Sequence, residues 1–497
     1  MLRKRTTAAL SVALVLAVGA CTGDNTGASP AASAGGASAP AGSPGESAAA
    51  SGSAPAGAAD ISGTLVVDAK YGCEPIPCTP GEGGADEIGT TRVDTFAEQY
   101  PDVTLDFTEQ DFDPATFLTS VAAGDTPDVV RISRDILGTY VAEGALDPLT
   151  DCISRFGIDM SQYREPAVAS VTINGEVYGI PEFYDSRILL INESVVEDAG
   201  VTPADVDTAD WDKLKTVSKA MSKTEDGKLT RIGFDPKIPE FLPLWAKANG
   251  ADIISADGLT SQLDDPKVAE ALQYAVSLVT DQAPGPEFTD FKTNGPGGKD
   301  FFGPDNQFAA DTLGAMPMEQ WYLNVLANNS PDEKISFAPF KDRQGNAISL
   351  SGGGALAIPA SAKNKDAACE FIRVMTLPDT WYAAAKVRAD KRAADGEAFT
   401  GVYSGNKIAD ERIFGELVTP ESAGAYYDGV QLVLETADAA YAIPASAGAE
   451  EFKRIWQAAV QKVLNDEATQ LQAIMDKTGA PCWAPDPSSH GRPCKVK

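Results

Sequence analysis

An α/β fold built as two domains is predicted by three features of the sequence. β-rich runs alternate with helical ones from residue 64 onward, the chain has 497 residues, and its 43% hydrophobic and 22% charged composition is that of an ordinary globular protein. One compact core rarely grows to that size, so two domains are the expectation. Strands alternating with helices point to sheets of mostly parallel strands.

The elements follow in order. Residues 64–68, Thr-Leu-Val-Val-Asp, form a short β-rich run. A helix is expected over 92–100 and is stopped by Pro101; residues 103–107 alternate as a second strand. Residues 117–123 are helical, and Gly124-Asp125-Thr126-Pro127 turns the chain into a third strand at 128–132. Ile188-Leu189-Leu190-Ile191 reads as a buried strand. Helices are expected at 211–221, 267–280, 365–375 and 450–464. Asp210 supplies an N-cap for the first of these, and Asp265-Pro266 a cap and a first-turn proline for the second. No short-period repeat is present.

The N-terminus carries Arg3, Lys4 and Arg5, then an apolar stretch over 8–18 that is too short to span a bilayer. It ends in Val18-Gly19-Ala20-Cys21, which resembles a bacterial lipobox with valine in the usual leucine position. That resemblance implies cleavage before Cys21 and diacylglycerol on its thiol, with acyl chains enough for stable membrane anchoring. Residues 22–60 are Ala, Gly, Ser and Pro with almost no large apolar side chain, which reads as a disordered tether. Six cysteines remain: Cys73, Cys78, Cys152, Cys369, Cys482 and Cys494. An even number in an exported chain suggests disulfides. Cys73 with Cys78, Cys482 with Cys494 and, by elimination, Cys152 with Cys369 is one of the connectivities that six cysteines allow.

Charge and motifs exclude several functions. A formal net charge of −31 leaves no basic field for nucleic acid. One histidine, His490, leaves no Ser-His-Asp triad and no His-Glu-x-x-His zinc site, and the cysteine pairs lack zinc spacing. Neither a nucleophile elbow nor a phosphate-binding Gly-x-x-x-x-Gly-Lys loop occurs. No metal and no cofactor are expected.

Several segments, in order, carry a family resemblance. They are Gly144-Ala145-Leu146-Asp147-Pro148-Leu149-Thr150, Asn174-Gly175-Glu176-Val177-Tyr178-Gly179-Ile180-Pro181, Ile188 to Glu193 and Ala199-Gly200-Val201. Asp210-Trp211-Asp212-Lys213-Leu214, Ala315-Met316 before Trp321, Phe337-Ala338-Pro339-Phe340, Gly352 to Ile358 and Ala367 to Ile372 continue the series. Together they resemble the sugar-binding class of bacterial extracellular solute-binding proteins, the maltose-binding-protein-like family. The stretch around Cys73 and Cys78, residues 284–305 and the tail after 479 depart from its pattern.

The resemblance implies a two-lobed periplasmic-binding-protein-like fold with a hinge and an interlobe ligand cleft. It divides the chain into 61–185 plus 345–388 as lobe 1 and 186–344 plus 389–478 as lobe 2, followed by a Cys/Pro-rich tail at 479–497. It also implies a monomeric lipoprotein outside the cytoplasm that hands a small solute, a sugar above all, to ABC permease subunits.

Ligands of α/β sheets sit beyond the carboxyl ends of strands. That rule selects Asp68, Lys70 and Tyr71 after the first strand, and Ser133, Arg134 and Asp135 after the third. The expected crossover adds Tyr184, Asp185 and Arg187. The resemblance adds Glu240, Phe241 and Trp245, then Glu319, Gln320, Trp321 and Tyr322; Gly352, Gly353 and Gly354 suit either a close backbone approach to the ligand or a tight turn between lobes. Carboxylates accept paired hydrogen bonds from sugar hydroxyls, and aromatic rings cover the apolar face of a pyranose. Arg134 or Arg187 would suit an anionic solute instead. The competing readings are an exported glycoside hydrolase, which needs two carboxylates flanking a bond, and a receptor that presents its ligand to a membrane sensor.

Overall fold

The computed structural model describes residues 61–69, 71, 86–108 and 112–465. Cys21, Lys70, Cys73, Cys78, Cys482 and Cys494, the signal segment, the tether and the tail lie outside the described residues.

The strands, in chain order, are Gly63–Asp68 (β1), Val103–Phe107 (β2), Val129–Ser133 (β3), Thr172–Ile173 (β4), Glu176–Val177 (β5), Ile180–Pro181 (β6) and Arg187–Asn192 (β7). They continue as Lys223–Glu225 (β8), Lys228–Phe234 (β9), Leu313–Glu319 (β10), Ile335–Pro339 (β11), Ser349–Ser351 (β12), Gly354–Ala357 (β13) and Ala440–Ala442 (β14). Two five-stranded sheets result, ordered β2-β1-β3-β13-β6 and β11-β7-β10-β9-β8.

Both sheets are mixed, which corrects the expectation of mostly parallel strands. β1 runs parallel to β2 and β3, and β10 parallel to β9. β13 lies antiparallel to β3 and β6, and β7 antiparallel to β10 and β11. The antiparallel strands β13 and β7 are those through which the chain arrives from the other sheet, so they enter from the opposite end. A crossing strand owes its direction to the junction, not to a local strand-helix-strand unit.

Every residue of β7 is buried, as a strand central to a sheet covered on both faces must be. Its Ile188, Leu189, Leu190 and Ile191 join Trp245, Phe234, Met316, Leu323 and Phe340 in the core of the second sheet. Leu65, Val67, Phe96, Phe371 and Met375 pack on one face of the first sheet, and Val130, Ile132, Tyr140 and Leu146 on the other.

The helices begin where their caps place them. The Asp210 carboxylate accepts from Lys213 N at 3.0 Å, and Asp265 accepts from Lys267 N at 2.7 Å. The first helix runs over Glu87–Gln99, earlier than expected, because Asp86 caps it by accepting from Ile88 N. Helix Ala449–Leu464 touches both halves of the molecule. Tyr140 Oη donates to Glu450 Oε2 at 2.7 Å and Lys453 Nζ donates to Asp135 Oδ2 at 2.6 Å, while Trp456 sits in the second-sheet core.

Helices Thr150–Phe156 and Lys365–Thr376 are joined by the Cys152–Cys369 disulfide, with Cα atoms 5.7 Å apart. A non-reducing digest will yield the Cys152 and Cys369 peptides as one linked species in mass spectrometry. Finding both as free thiols in protein exported and purified without reductant contradicts this pairing. No described helix is long and apolar enough to cross a membrane.

Candidate functional site

The chain passes from β6 in the first sheet to β7 in the second over residues 182–186, and returns over 352–353 between β12 and β13. The two crossings run side by side. Asp185 N donates to Gly352 O at 3.1 Å, and Gly352 N to Asp185 O at 3.3 Å. β14 lies beside them, pairing parallel to β12. These adjacent segments form the junction between the two sheets.

Polar side chains fill this junction. Arg187 leads β7; its N–H donates to Ser349 Oγ at 2.6 Å and its Nη1 to Leu350 O at 2.7 Å. The same guanidinium bridges two carboxylates, pairing with Asp185 and, at 3.1 Å, with Glu319 at the end of β10. It also lies 5.3 Å from the Phe241 ring centroid. Burial disfavours the charge of Arg187, yet Asp185 and Glu319 hold its pKa above the ordinary arginine value. Burial pushes the Asp185 carboxyl up, with Arg187 opposing and Glu319 reinforcing.

Gln320 closes the junction from the second sheet. Ser186 N donates to its Oε1 at 2.6 Å and its Nε2 donates to Tyr184 O at 2.8 Å. Tyr184 is buried, and its hydroxyl donates to Ala437 O at 2.9 Å. Arg134 approaches from the first sheet. Its Nη1 donates to Ser170 Oγ at 2.8 Å and its Nη2 to Gly352 O, and the guanidinium lies 5.7 Å from the Tyr184 ring centroid. Burial lowers its pKa to about 10, so it remains charged at neutral pH. Gly353 has a φ of +122°, and a β-carbon there would stand 2.1 Å from Phe183 O.

Arg134, Tyr184, Asp185, Glu319, Gln320 and Gly353 are therefore brought into one neighbourhood. Trp321 follows Gln320 and stands half-buried at its edge, its ring nearly parallel to that of Phe302 at 6.0 Å. Asp135 points to Ser133 and Lys453; burial alone would raise its pKa, but Lys453 and Ser133 hold it below the usual carboxylate value. Asp68 ends β1 and accepts from Thr108 Oγ1. Tyr71 is buried against Phe107 and Phe371, and burial raises its hydroxyl pKa. Glu240 is exposed in the turn before helix Leu242–Ala248. Trp245 is fully buried in the second-sheet core, and its Nε1 donates to Pro236 O at 2.9 Å.

One group beside the junction was not singled out from the sequence. Glu182 is 2% exposed, and its two oxygens accept from Arg92 Nη2 and Arg131 Nε, each at 2.5 Å. Arg92 in turn lies 3.8 Å from the Trp381 ring centroid. The available signal was an acid directly after the apolar Gly179-Ile180-Pro181, ahead of Phe183 and Tyr184. No described group of His, Cys, Asp and Glu is arranged to hold a metal ion.

Two mixed α/β sheets joined by paired crossings, with charged and aromatic groups gathered at the junction, define a two-lobed binding-protein fold. The chain belongs to the bacterial extracellular solute-binding protein family, whose model matches residues 91–394. An arabinooligosaccharide-binding protein of Bacillus subtilis is 23% identical over 263 residues, 51% of this chain and 57% of that protein. A maltooligosaccharide ABC transporter solute-binding lipoprotein of Streptococcus pneumoniae is 24% identical over 256 residues, 50% of this chain and 56% of that one. The chain thus matches a little over half the length of each of these relatives. A solved protein with mannotriose bound shares the fold with a TM-score of 0.64, at 20% identity, over 84% of this chain and 98% of that one.

Proposed function

We propose that this chain is the substrate-binding lipoprotein of an ABC importer, capturing a mono- or oligosaccharide between two closing lobes. The observation that carries the reading is the convergence of Asp185, Arg187 and Glu319 with the half-buried Trp321 at the crossing between the sheets. Charge-assisted acceptors beside an aromatic face suit a polyhydroxylated ring. Membership of an extracellular solute-binding family, and relatives named for oligosaccharides and for an ABC transporter, support it.

In this reading the lobes divide at the two crossings, with the first sheet and its helices in lobe 1 and the second sheet and its helices in lobe 2. Ligand shifts an open–closed equilibrium, with residues 182–186 and 352–353 flexing. The protein works as a monomer outside the cytoplasm, tethered by a lipid on Cys21 and docking to permease subunits when closed. Its task is binding without catalysis. Asp185 and Glu319 share one guanidinium, which suits hydroxyl recognition better than the free acid and free base of a glycosidase.

A thermal-shift screen against mono-, di- and oligosaccharides, amino acids and polyamines tests the reading. A sugar at about a thousand times its Kd stabilises the folded state by about 4 kcal/mol, and the melting temperature rises accordingly. The sugar is recovered unchanged. A shift with amino acids or polyamines alone overturns the sugar assignment, and consumption of a glycoside overturns the binding role.

A further inference from the structure

Helix Ala449–Leu464 has its body in one half of the molecule and its first turn against the other. Phe452, Trp456 and Val460 are buried in the second-sheet core. The first turn instead grips helix Leu137–Ala142, whose Leu137 and Tyr140 pack on the first sheet. Besides the Tyr140–Glu450 and Lys453–Asp135 bonds, Glu450 N donates to Thr139 Oγ1 at 3.1 Å. The chain leading into the helix is clamped from both sides. A β-carbon on Gly138 would stand 2.4 Å from Ser446 O. One on Gly258, in the loop between helices Leu242–Ala248 and Pro266–Thr280, would stand 2.2 Å from Ala445 O. Gly138 has no positive φ and lies inside a helix, where alanine is the better helix former, so the close approach of Ser446 is what calls for glycine there. These contacts join the two sheets at a place distinct from the crossings at 182–186 and 352–353.

We propose that the first turn of helix Ala449–Leu464 is a latch between the two sheets. Its seat on Gly138, Thr139 and Tyr140, with the Lys453–Asp135 ion pair, holds the sheets together in the unliganded protein, and its release lets them part about the crossings. The crossings are continuous chain and cannot release. The latch is noncovalent, and its ion pair is partly exposed, at 38% and 30%, where salt and neighbouring charge reach it. It goes beyond the proposed capture of a sugar and does not depend on which solute is bound.

The test is small-angle X-ray scattering of the full unliganded protein, with the melting temperature of each variant reporting its folding. Gly138→Ala is a wedge: alanine favours its own helix but collides with Ser446 O, so the radius of gyration should rise. Lys453→Asp sets two carboxylates face to face and should raise the radius as well. The exchange D135K/K453D restores an opposite-charge pair and should return the radius to the wild-type value. A wild-type radius in either folded single variant overturns the latch. So does an expansion of K453D that the exchange fails to reverse. Should G138A fail to fold, K453D and its exchange decide alone. Each of these failures leaves the sugar-binding function standing, because the thermal-shift screen tests that separately.

Discussion

Glu182→Gln lowers the free energy of unfolding by about 3–5 kcal/mol, the cost of breaking a buried ion pair from one side. Glu182 and Arg92 are buried together, and Arg131 reaches the same carboxylate from a partly exposed position. Glutamine keeps the shape and one acceptor but leaves the buried Arg92, packed on Trp381, without its counter-charge, while the one-third-exposed Arg131 is solvated. Urea unfolding of the unliganded protein measures the loss, and a change under 1 kcal/mol refutes it. A pH dependence follows from the same cluster. Burial alone would raise the Glu182 carboxyl, but Arg131 and Arg92 hold it down to about 2, against an ordinary value of 4.5. A carboxylate lowered in the folded state contributes stability that is fully present above its unfolded value. That contribution, about 3 kcal/mol, is lost as pH falls from about 4.5 through about 2. The Glu182→Gln variant should lack this component of the acid transition.

Gly353→Ala should cost at least about 3 kcal/mol, from two sources that add. A φ of +122° is strained for any L residue with a β-carbon, at about 1–3 kcal/mol. The added methyl would also stand 2.1 Å from Phe183 O and 3.0 Å from Arg134 Nη2, so the two crossings must separate to admit it. Separation stretches the Arg134 contact to Gly352 O and the exchange between Asp185 and Gly352. Gly345→Ala is the control. It has φ +87° and nothing within 4 Å of the added carbon, so it carries the backbone strain without the collision. Equal losses in the two variants, measured by urea unfolding, would show that crowding at the crossing is not responsible.

How far the sequence discloses this arrangement depends on how local each cause is. The apolar run 188–191 was legible as a buried strand because both faces of β7 are covered, which leaves a continuous hydrophobic signature. Asp210 and Asp265 were legible as caps because a cap acts within three residues of itself. Strand direction was not legible, because β7 and β13 take theirs from the crossing between sheets. Arg134, Asp185, Glu319 and Gln320 were placed as candidates from their positions after strands and along the resemblance, and the fold gathers them. Their partners were another matter. That Gln320 would bind the backbone of Tyr184 and Ser186, 136 and 134 residues away, depends on the register of β10 against β7. Trp245 and Trp321 carried the same aromatic signal, and only the packing of helix Leu242–Ala248 against its neighbours separates the fully buried ring from the half-buried one. Glu182 escaped notice because its meaning comes from Arg92 and Arg131, which lie 90 and 51 residues earlier.

The link between Cys152 and Cys369 spans a sequence separation of 217 residues, and strands β7 to β11 all fall inside it. The covalent chain is therefore a ring with two tails, and the whole second sheet is strung on the ring. A protease that cuts one peptide bond anywhere in that arc opens the ring but releases nothing, since the two pieces remain joined through sulfur. Unfolding is likewise confined: the ends of the arc cannot drift apart, so the second sheet reforms within a closed loop whose ends already meet. The bond that staples two helices on the first sheet thus insures the integrity of the second.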